Sequence, residues 1–160
     1  MSVMYCDCEG DVAFQFAERS TQIIGCDSPT PLPLTVDEFV ESAAKSINVV
    51  ILVASTADGS VGKPCRSLTR AMKVLAGKDY TNNDVPLAMP VRMKCAVALL
   101  GGARCTNSAE STRSEVYGSG RRFVKALKTA GLECSVVEVD VELEAPEVQF
   151  DGWLAGMKLE

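Results

Sequence analysis

Two mostly apolar runs dominate the middle of the chain. Residues 48–55 read NVVILVAS, and residues 93–100 read MKCAVALL with a single lysine near the start. Continuous apolar runs of this length, rich in β-branched residues, are typical of parallel strands that are covered by helices on both faces. We therefore expect both runs to lie in the interior of a parallel sheet.

Three further strands are predicted outside this centre. Residues 3–6 form an apolar start, and residues 23–26 join two isoleucines to a glycine and a cysteine. Residues 133–142 alternate apolar and polar positions, which is typical of a less buried strand near the edge of a sheet.

Between these strands, apolar residues recur at helical spacing. Thr35 is followed three residues later by Glu38, a capping box that predicts the start of a helix. Pro64 and Pro146 suit the first turn of two others. A further helix is predicted over residues 114–130, ahead of a glycine.

Strands and helices alternate along the whole chain, about five of each. This order predicts an α/β fold, namely a three-layer, doubly wound domain around a five-stranded parallel sheet. We expect one domain over residues 1–160. Ligands in such domains bind beyond the carboxyl ends of the strands, where the strand order reverses. The candidate site therefore consists of three loops: residues 7–11, 56–63 and 101–111.

Composition removes several classes of function. The chain has 16 Lys+Arg and 21 Asp+Glu, a net charge of −5, so we expect no direct binding of nucleic acid or of an anionic membrane. Its lack of histidine excludes the Ser-His-Asp triad, the Cys-His pair and His-containing zinc sites. No run reaches the roughly 20 apolar residues of a membrane span.

The seven cysteines include no C-x-x-C pair, and we expect no metal site. Reduced cysteines that serve as small apolar residues predict a reducing intracellular compartment. We expect the cytoplasm, with an organelle as the open alternative.

Several segments resemble the flavodoxin-like FMN domains of diflavin reductases. They are VVILVASTADGSVGKPCRSLTRAMK at residues 49–73, AVALLG at residues 96–101, GRRFVKAL at residues 120–127, and the pair Phe150-x-x-Trp153. The flavodoxin part of tRNA wybutosine-synthesising enzymes is equally similar, and the two origins stay open. The resemblance implies the strand order 2-1-3-4-5 and FMN-dependent electron transfer beside a reductase or radical domain.

The resemblance also implies which positions would hold FMN in this sequence. They are Gly10, Ser55, Thr56, Ala57, Asp58, Gly59, Gly101, Gly102 and Arg104. It assigns no catalytic residue and no metal ligand.

The first of these loops is acidic where the family has hydroxyl groups. Gly10 matches the family's central glycine, but the hydroxyl positions fall on Asp7, Glu9 and Asp11. At about 6 Å and an effective dielectric constant near 20, one carboxylate repels a phosphate dianion by roughly 5 kcal/mol before screening. We therefore expect this turn to oppose the FMN phosphate.

The aromatic residues that would flank a flavin ring are missing as well. Ala57 stands where the family has an aromatic residue, and residues 103–113 contain none. Tyr117 is the nearest ring, but it aligns inside the following helix.

The sequence therefore predicts a diverged flavodoxin-like domain that has lost FMN and serves as a non-catalytic interaction or structural subunit of a larger assembly. The alternative is an FMN-binding electron-transfer protein that works with a reductase or oxidase partner. A third reading is an enzyme that uses the same crevice for a cationic or neutral ligand.

Overall fold

The computed structural model of the chain describes residues 1–46, 48–56, 58–77, 93–102 and 116–157. Within these ranges five strands alternate with five helices. The strands are β1 (Ser2–Cys6), β2 (Thr30–Pro31), β3 (Asn48–Ala54), β4 (Lys94–Gly101) and β5 (Glu133–Asp140). The helices are α1 (Val12–Ile24), α2 (Val36–Ala44), α3 (Lys63–Gly77), α4 (Gly118–Thr129) and α5 (Pro146–Gly156).

The five strands form one sheet in the order β2-β1-β3-β4-β5, and every neighbouring pair is parallel. This order confirms the predicted doubly wound arrangement. The two apolar runs become the interior strands β3 and β4, which pair from Asn48 opposite Lys94 to Ala54 opposite Leu100. The chain passes from β1 outward to β2 and then returns to β3 on the other side of β1. The strand order therefore reverses between β1 and β3.

Helices cover both faces of the sheet, because successive side chains of each strand point to opposite sides. One face packs against α2, α3 and α4, and its core includes Val49, Ile51, Phe39, Leu68 and Phe123. The other face packs against α1 and α5, and its core includes Val50, Leu52, Phe16 and Phe150. The three predicted layers are thus confirmed.

The second strand lies elsewhere than the sequence predicts. The predicted strand at residues 23–26 is in fact the end of α1, which Gly25 caps in the left-handed conformation at φ 75°. The Gly25 N–H donates to the Thr21 carbonyl oxygen at 2.8 Å, a contact that closes a helix. The actual β2 is the pair Thr30–Pro31, inside a proline-rich segment that contains no apolar run.

The helix starts largely follow their local signals. The Thr35 hydroxyl accepts a hydrogen bond from the Glu38 N–H at 3.3 Å, which confirms this part of the capping box. Pro64 lies in the first turn of α3, and Pro146 is the first residue of α5. By contrast, α4 begins at Gly118, later than the predicted start at residue 114. Residues 114 and 115 themselves lie outside the described ranges.

Crossing a membrane takes a helix of about 20 apolar residues. In the ranges given above, no helix is both long enough and apolar enough to do so.

Candidate functional site

Three strands end side by side at the edge where the strand order reverses. β1, β3 and β4 are parallel neighbours, with Cys6 opposite Val53 and Ala54 opposite Leu100. The loops that follow them therefore start from one edge of the sheet, as predicted. The structure describes the loop after β1, the loop after β3 apart from residue 57, and the end of β4 as far as residue 102.

Seven of the nine candidate residues lie in these described segments, and they are Gly10, Ser55, Thr56, Asp58, Gly59, Gly101 and Gly102. Ala57 and Arg104 lie outside the described residues, together with the rest of the third predicted loop, so their roles stay predictions.

A carboxylate from the first loop occupies the N-terminus of α1. The Ala13 N–H donates to Asp7 Oδ1 at 2.7 Å, and the Phe14 N–H donates to Asp7 Oδ2 at 3.1 Å. Amides in the first turn of a helix have no partner within the helix, and they carry the positive end of its dipole. Anions bind at such a position, and in this chain its own carboxylate takes two of the donors.

The other two carboxylates of this loop lie at the surface. Gly10 has φ 81°, a left-handed conformation that other residues rarely adopt, and it bends the chain between Glu9 and Asp11. Asp11 directly precedes α1, but its side chain caps no backbone amide and instead accepts from Gln15 Nε2 at 3.0 Å. Glu9 and Asp11 are both exposed. The loop therefore presents negative charge to solvent and to the helix at the same time.

Burial raises the pKa of Asp7 above its ordinary value. The Ala13 and Phe14 amides lower this pKa, and the negative charge of Asp11 raises it, but burial is the largest cause. Two hydrogen bonds from the helix therefore do not fully compensate the partial loss of water around the charged carboxylate. A second anion at the same amides would meet this carboxylate and would have to displace it.

The loop after β3 closes on itself through a different aspartate. The Asp58 carboxylate accepts hydrogen bonds from the Thr56 hydroxyl and from the Ser60 N–H, the latter at 3.0 Å. The backbone adds a bond from Thr56 N–H to the Ser60 carbonyl and one from Gly59 N–H to the Thr56 carbonyl, both at 2.9 Å. The Thr56 hydrogen bond, followed by that of the Ser60 amide, lowers the pKa of Asp58 to about 2. This loop therefore uses its own donors to stabilise its own charge.

These two loops touch at Gly62, just ahead of α3. A Cβ on Gly62 would lie 2.8 Å from Cys6 Sγ and closer still to the Asp7 carbonyl oxygen. Only a glycine allows the two backbones to approach this closely. Gly62 lies within the predicted loop 56–63 but was not among the residues predicted to hold FMN, although a glycine just before a helix that starts at Lys63 is a usable signal.

The end of β4 is closely packed by its neighbours. A Cβ on Gly101 would lie 3.0 Å from Ser55 Oγ, and one on Gly102 would lie 2.5 Å from Glu142 Cδ. The Ser55 hydroxyl donates to the Leu100 carbonyl at 3.3 Å, so this candidate residue also ties β3 to β4. Glu142 adds another acidic side chain beside the site. The sequence did not point to Glu142 because the predicted strand over residues 133–142 included it, whereas β5 in fact ends at Asp140.

The rings next to these loops are engaged in packing. Tyr117 is 2% exposed, and its Cε1 would lie 3.1 Å from a Cβ on Gly101. Phe14, in the first turn of α1, meets Tyr5 edge-on with ring centroids 5.2 Å apart. Both rings therefore already pack against neighbouring residues of the chain.

The described loops are therefore rich in acceptor oxygens, and the donors named above already form hydrogen bonds within the chain itself. Carboxylates of this kind suit a cationic or hydrogen-bond-donating group better than a phosphate. In the part of the chain that the structure describes, no group of three or more His, Cys, Asp or Glu side chains is placed to hold a metal ion.

Among solved structures, this chain is similar to flavodoxins. A mutant flavodoxin from Pseudomonas aeruginosa aligns with a TM-score of 0.63 and 14% identity, over 96% of this chain and 93% of that chain. Oxidised flavodoxin 2 from Bacillus cereus aligns with a TM-score of 0.56 and 12% identity, over 97% of this chain and 98% of that one. The Trp repressor binding protein from Bacillus subtilis aligns with a TM-score of 0.57 and 14% identity, over 96% and 92%.

No protein-family model matches the chain, and no curated protein sequence matches it. At identities this low the structural likeness establishes a flavodoxin-like fold, and function has to be argued from the site.

Proposed function

We propose that this chain is a flavodoxin-like domain whose FMN site has eroded and that acts as a non-catalytic interaction or structural subunit of a larger assembly. The observation that carries the proposal is the Asp7 carboxylate on the amides of Ala13 and Phe14. Those amides lie at the helix terminus where a flavodoxin-like domain would receive the phosphate of FMN. The structural similarity to flavodoxins supports the choice of FMN as the cofactor to test.

The described residues do not fit the FMN phosphate. A phosphate at the start of α1 would compete with Asp7 for two donors and would meet the charges of Glu9 and Asp11 nearby. Each carboxylate at about 6 Å opposes a dianion by roughly 5 kcal/mol before solvent and salt screen the repulsion. A hydrogen bond contributes only about 1 kcal/mol net, so the added donors of a bound phosphate would not compensate.

The flavin ring also lacks the aromatic partners that the resemblance implies. Ala57 replaces one of them, and the sequence of residues 103–113 supplies no other. The Tyr117 ring is buried against β4. Each missing ring removes on the order of 2–3 kcal/mol of apolar burial.

The scaffold around this site is intact, which supports a structural role. Both faces of the sheet retain fully buried cores, and all four strand pairs keep a continuous parallel register. A domain of this kind holds its surface loops and helix faces in fixed positions, as a subunit of an assembly must.

A flavin titration tests the proposal directly. The purified wild-type protein should leave FMN fluorescence unquenched and should be colourless after desalting. The triple variant Asp7→Ser, Glu9→Ser and Asp11→Ser should bind FMN at least tenfold more tightly, about 1.4 kcal/mol, because it removes three negative charges and frees two amides.

A matched control removes the same charge elsewhere. Glu18, Asp27 and Glu41 are exposed acids outside the loop, and their replacement by serine should leave FMN binding unchanged. Wild-type protein that retains FMN through desalting, with quenched fluorescence, would overturn the proposal in favour of the electron-transfer alternative.

The assembly role has its own test. The tagged chain is expressed at its natural level and extracted from cells under mild conditions. Its native mass should then lie well above the 17.1 kDa of the single chain. A native mass equal to that of the single chain would contradict a role as a subunit.

A further inference from the structure

Two cysteines lie side by side at the end of the sheet opposite the candidate site. Cys95 of β4 and Cys134 of β5 are directly paired in the parallel register, so their side chains project from the same face. Neighbouring strands are about 4.8 Å apart, which falls within the Cα separation of 4.4–6.8 Å that a disulfide needs. The backbone therefore holds the two Cα atoms at a separation that a disulfide can span.

The two thiols differ in exposure and in acidity. A hydrogen bond with Cys95 holds the pKa of Cys134 below the ordinary thiol range, and the positive charge of Lys128 lowers it further. The Cys134 thiol also donates to the Leu132 carbonyl oxygen at a long 3.8 Å. Burial and the charge of Glu133 act against the lowered pKa. The hydrogen bond with Cys95 and the charge of Lys128 outweigh burial and Glu133, so the pKa of Cys134 is lowered.

Cys95 has the opposite character. It is 3% exposed, and its hydrogen bond with Cys134 and its burial both raise its pKa. A half-buried thiol with a lowered pKa beside a buried thiol with a raised one is the arrangement of an attacking and a resolving cysteine.

A cavity of about 290 Å³ lies at this end of the sheet, and Cys95 and Cys134 are among the residues that line it. Its lining includes Lys94, Cys95, Glu133, Cys134, Ser135 and Met157. The charges of Lys94 and Glu133 at its rim suit a small zwitterionic peptide better than an apolar molecule.

We propose that Cys95 and Cys134 form a dithiol site that low-molecular-weight peptide disulfides oxidise to an intramolecular disulfide. This site lies at the opposite end of the sheet from the loops after β1, β3 and β4, and the proposal does not depend on the proposed function. The disulfide can form without moving either side chain to the other face of the sheet, because Cys95 and Cys134 project from the same face of neighbouring strands.

The reaction is an ordinary thiol–disulfide exchange in two steps. The Cys134 thiolate attacks one sulfur of the peptide disulfide, whose S–S bond breaks and releases one thiolate that takes up the proton lost by Cys134. Cys95 then loses its proton and attacks the Cys134 sulfur, forming the protein disulfide and releasing the second peptide thiol. The protein is oxidised by two electrons, and the peptide disulfide is reduced by two.

The test uses the full-length, reduced protein and oxidised glutathione as the probe. After timed exposure at neutral pH, free thiols are alkylated and peptides are mapped by mass spectrometry. We expect a cross-linked peptide pair containing Cys95 and Cys134, without retained glutathione. Cys8 is exposed, but it should react more slowly. The partial loss of water around its sulfur and the charge of Glu9 raise the pKa of this thiol.

Variants separate the two steps. Cys95→Ala should stop at a stable glutathione adduct on Cys134, and Cys134→Ser should lose the reaction at residue 95. Cys8→Ser is the matched control and should leave the cross-link unchanged. If a variant fails to fold, the wild-type peptide map still decides. Two results would overturn the proposal. In one, Cys95 and Cys134 are both recovered as free thiols after Cys8 has reacted. In the other, wild-type protein keeps a lasting glutathione adduct on Cys134.

Discussion

The loops after β1 and β3 each depend on one aspartate, and the two carboxylates act in opposite ways. Asp7 reaches out of its loop to two amides of α1, whereas Asp58 accepts a hydroxyl and an amide of its own turn. Burial raises the pKa of Asp7, while hydrogen bonds lower that of Asp58 to about 2.

This difference shows that the number of donors alone does not set the charge state of a carboxylate. Asp7 accepts two amide hydrogen bonds and still has a raised pKa, because it is partly removed from water, whereas Asp58 is exposed. Desolvation therefore decides the direction of the shift. A carboxylate at a helix terminus can therefore remain costly to keep charged even when two amides donate to it.

The largest expected effect comes from forcing the two loops apart. Gly62→Ala places a Cβ against the Asp7 carbonyl and Cys6 Sγ, which should lower the free energy of unfolding by about 1–3 kcal/mol. Urea denaturation measures it. Gly152→Ala is the matched control, because Gly152 lies in α5 with no atom within 4 Å of the added Cβ, and it should stabilise the protein by about 0.5–1 kcal/mol. Equal effects of the two substitutions would show that the loops are not in contact.

A smaller effect on the free energy of unfolding distinguishes the two aspartates, because they accept hydrogen bonds from different parts of the chain. Asp7→Ala removes the side chain that satisfies two first-turn amides of α1, and should cost about 1 kcal/mol. Asp58→Ala should cost less, because Asp58 is exposed and its turn retains two backbone hydrogen bonds. Unfolding free energies in urea give the order. A larger loss for Asp58→Ala would reverse the comparison.

The smallest effect is in the acid dependence of stability. The folded-state pKa of Asp58 is depressed, so its contribution is complete above the unfolded value near 3.9 and is lost as the pH falls toward about 2. Asp58→Asn should therefore flatten the loss of stability in this window. Asp7 has a raised pKa, so its contribution is present at low pH and is lost as the pH rises through that pKa.

Asp7→Asn should consequently remove a loss of stability above about pH 4, the opposite of what Asp58→Asn does below it. Urea midpoints measured between pH 2 and pH 6 provide the readout for both variants. Identical pH profiles for the two variants would contradict the assignment of opposite shifts.

The sequence was most informative where structure follows from a run or a local cap. The apolar runs of β3 and β4 are buried on both faces of the sheet. Because such a strand has no polar face, its residues form a continuous apolar run that is easy to recognise in the sequence. The contact between Thr35 and Glu38 forms within four residues, so the start of α2 needs no tertiary information.

The sequence was least informative where a distant partner decides. The two isoleucines at residues 23 and 24 have high strand propensity, but the packing of α1 on the sheet keeps them helical. β2 has two residues and depends on its pairing with β1 alone. For the site, the acidic character of residues 7–11 is readable from the letters. That Asp7 caps α1 is not, because the cap depends on a turn through the left-handed Gly10.

The two margins of the sheet differ in their readiness to recruit another chain. β2 offers only two residues, one of them Pro31, which has no N–H to donate. Short, proline-bearing edges resist strand addition and the aggregation that follows from it. The margin at β5 is eight residues long and carries Glu133 and Asp140 at its ends. In the described sheet, intermolecular growth would therefore have to begin at β5, where a second copy aligned antiparallel would bring like charges together.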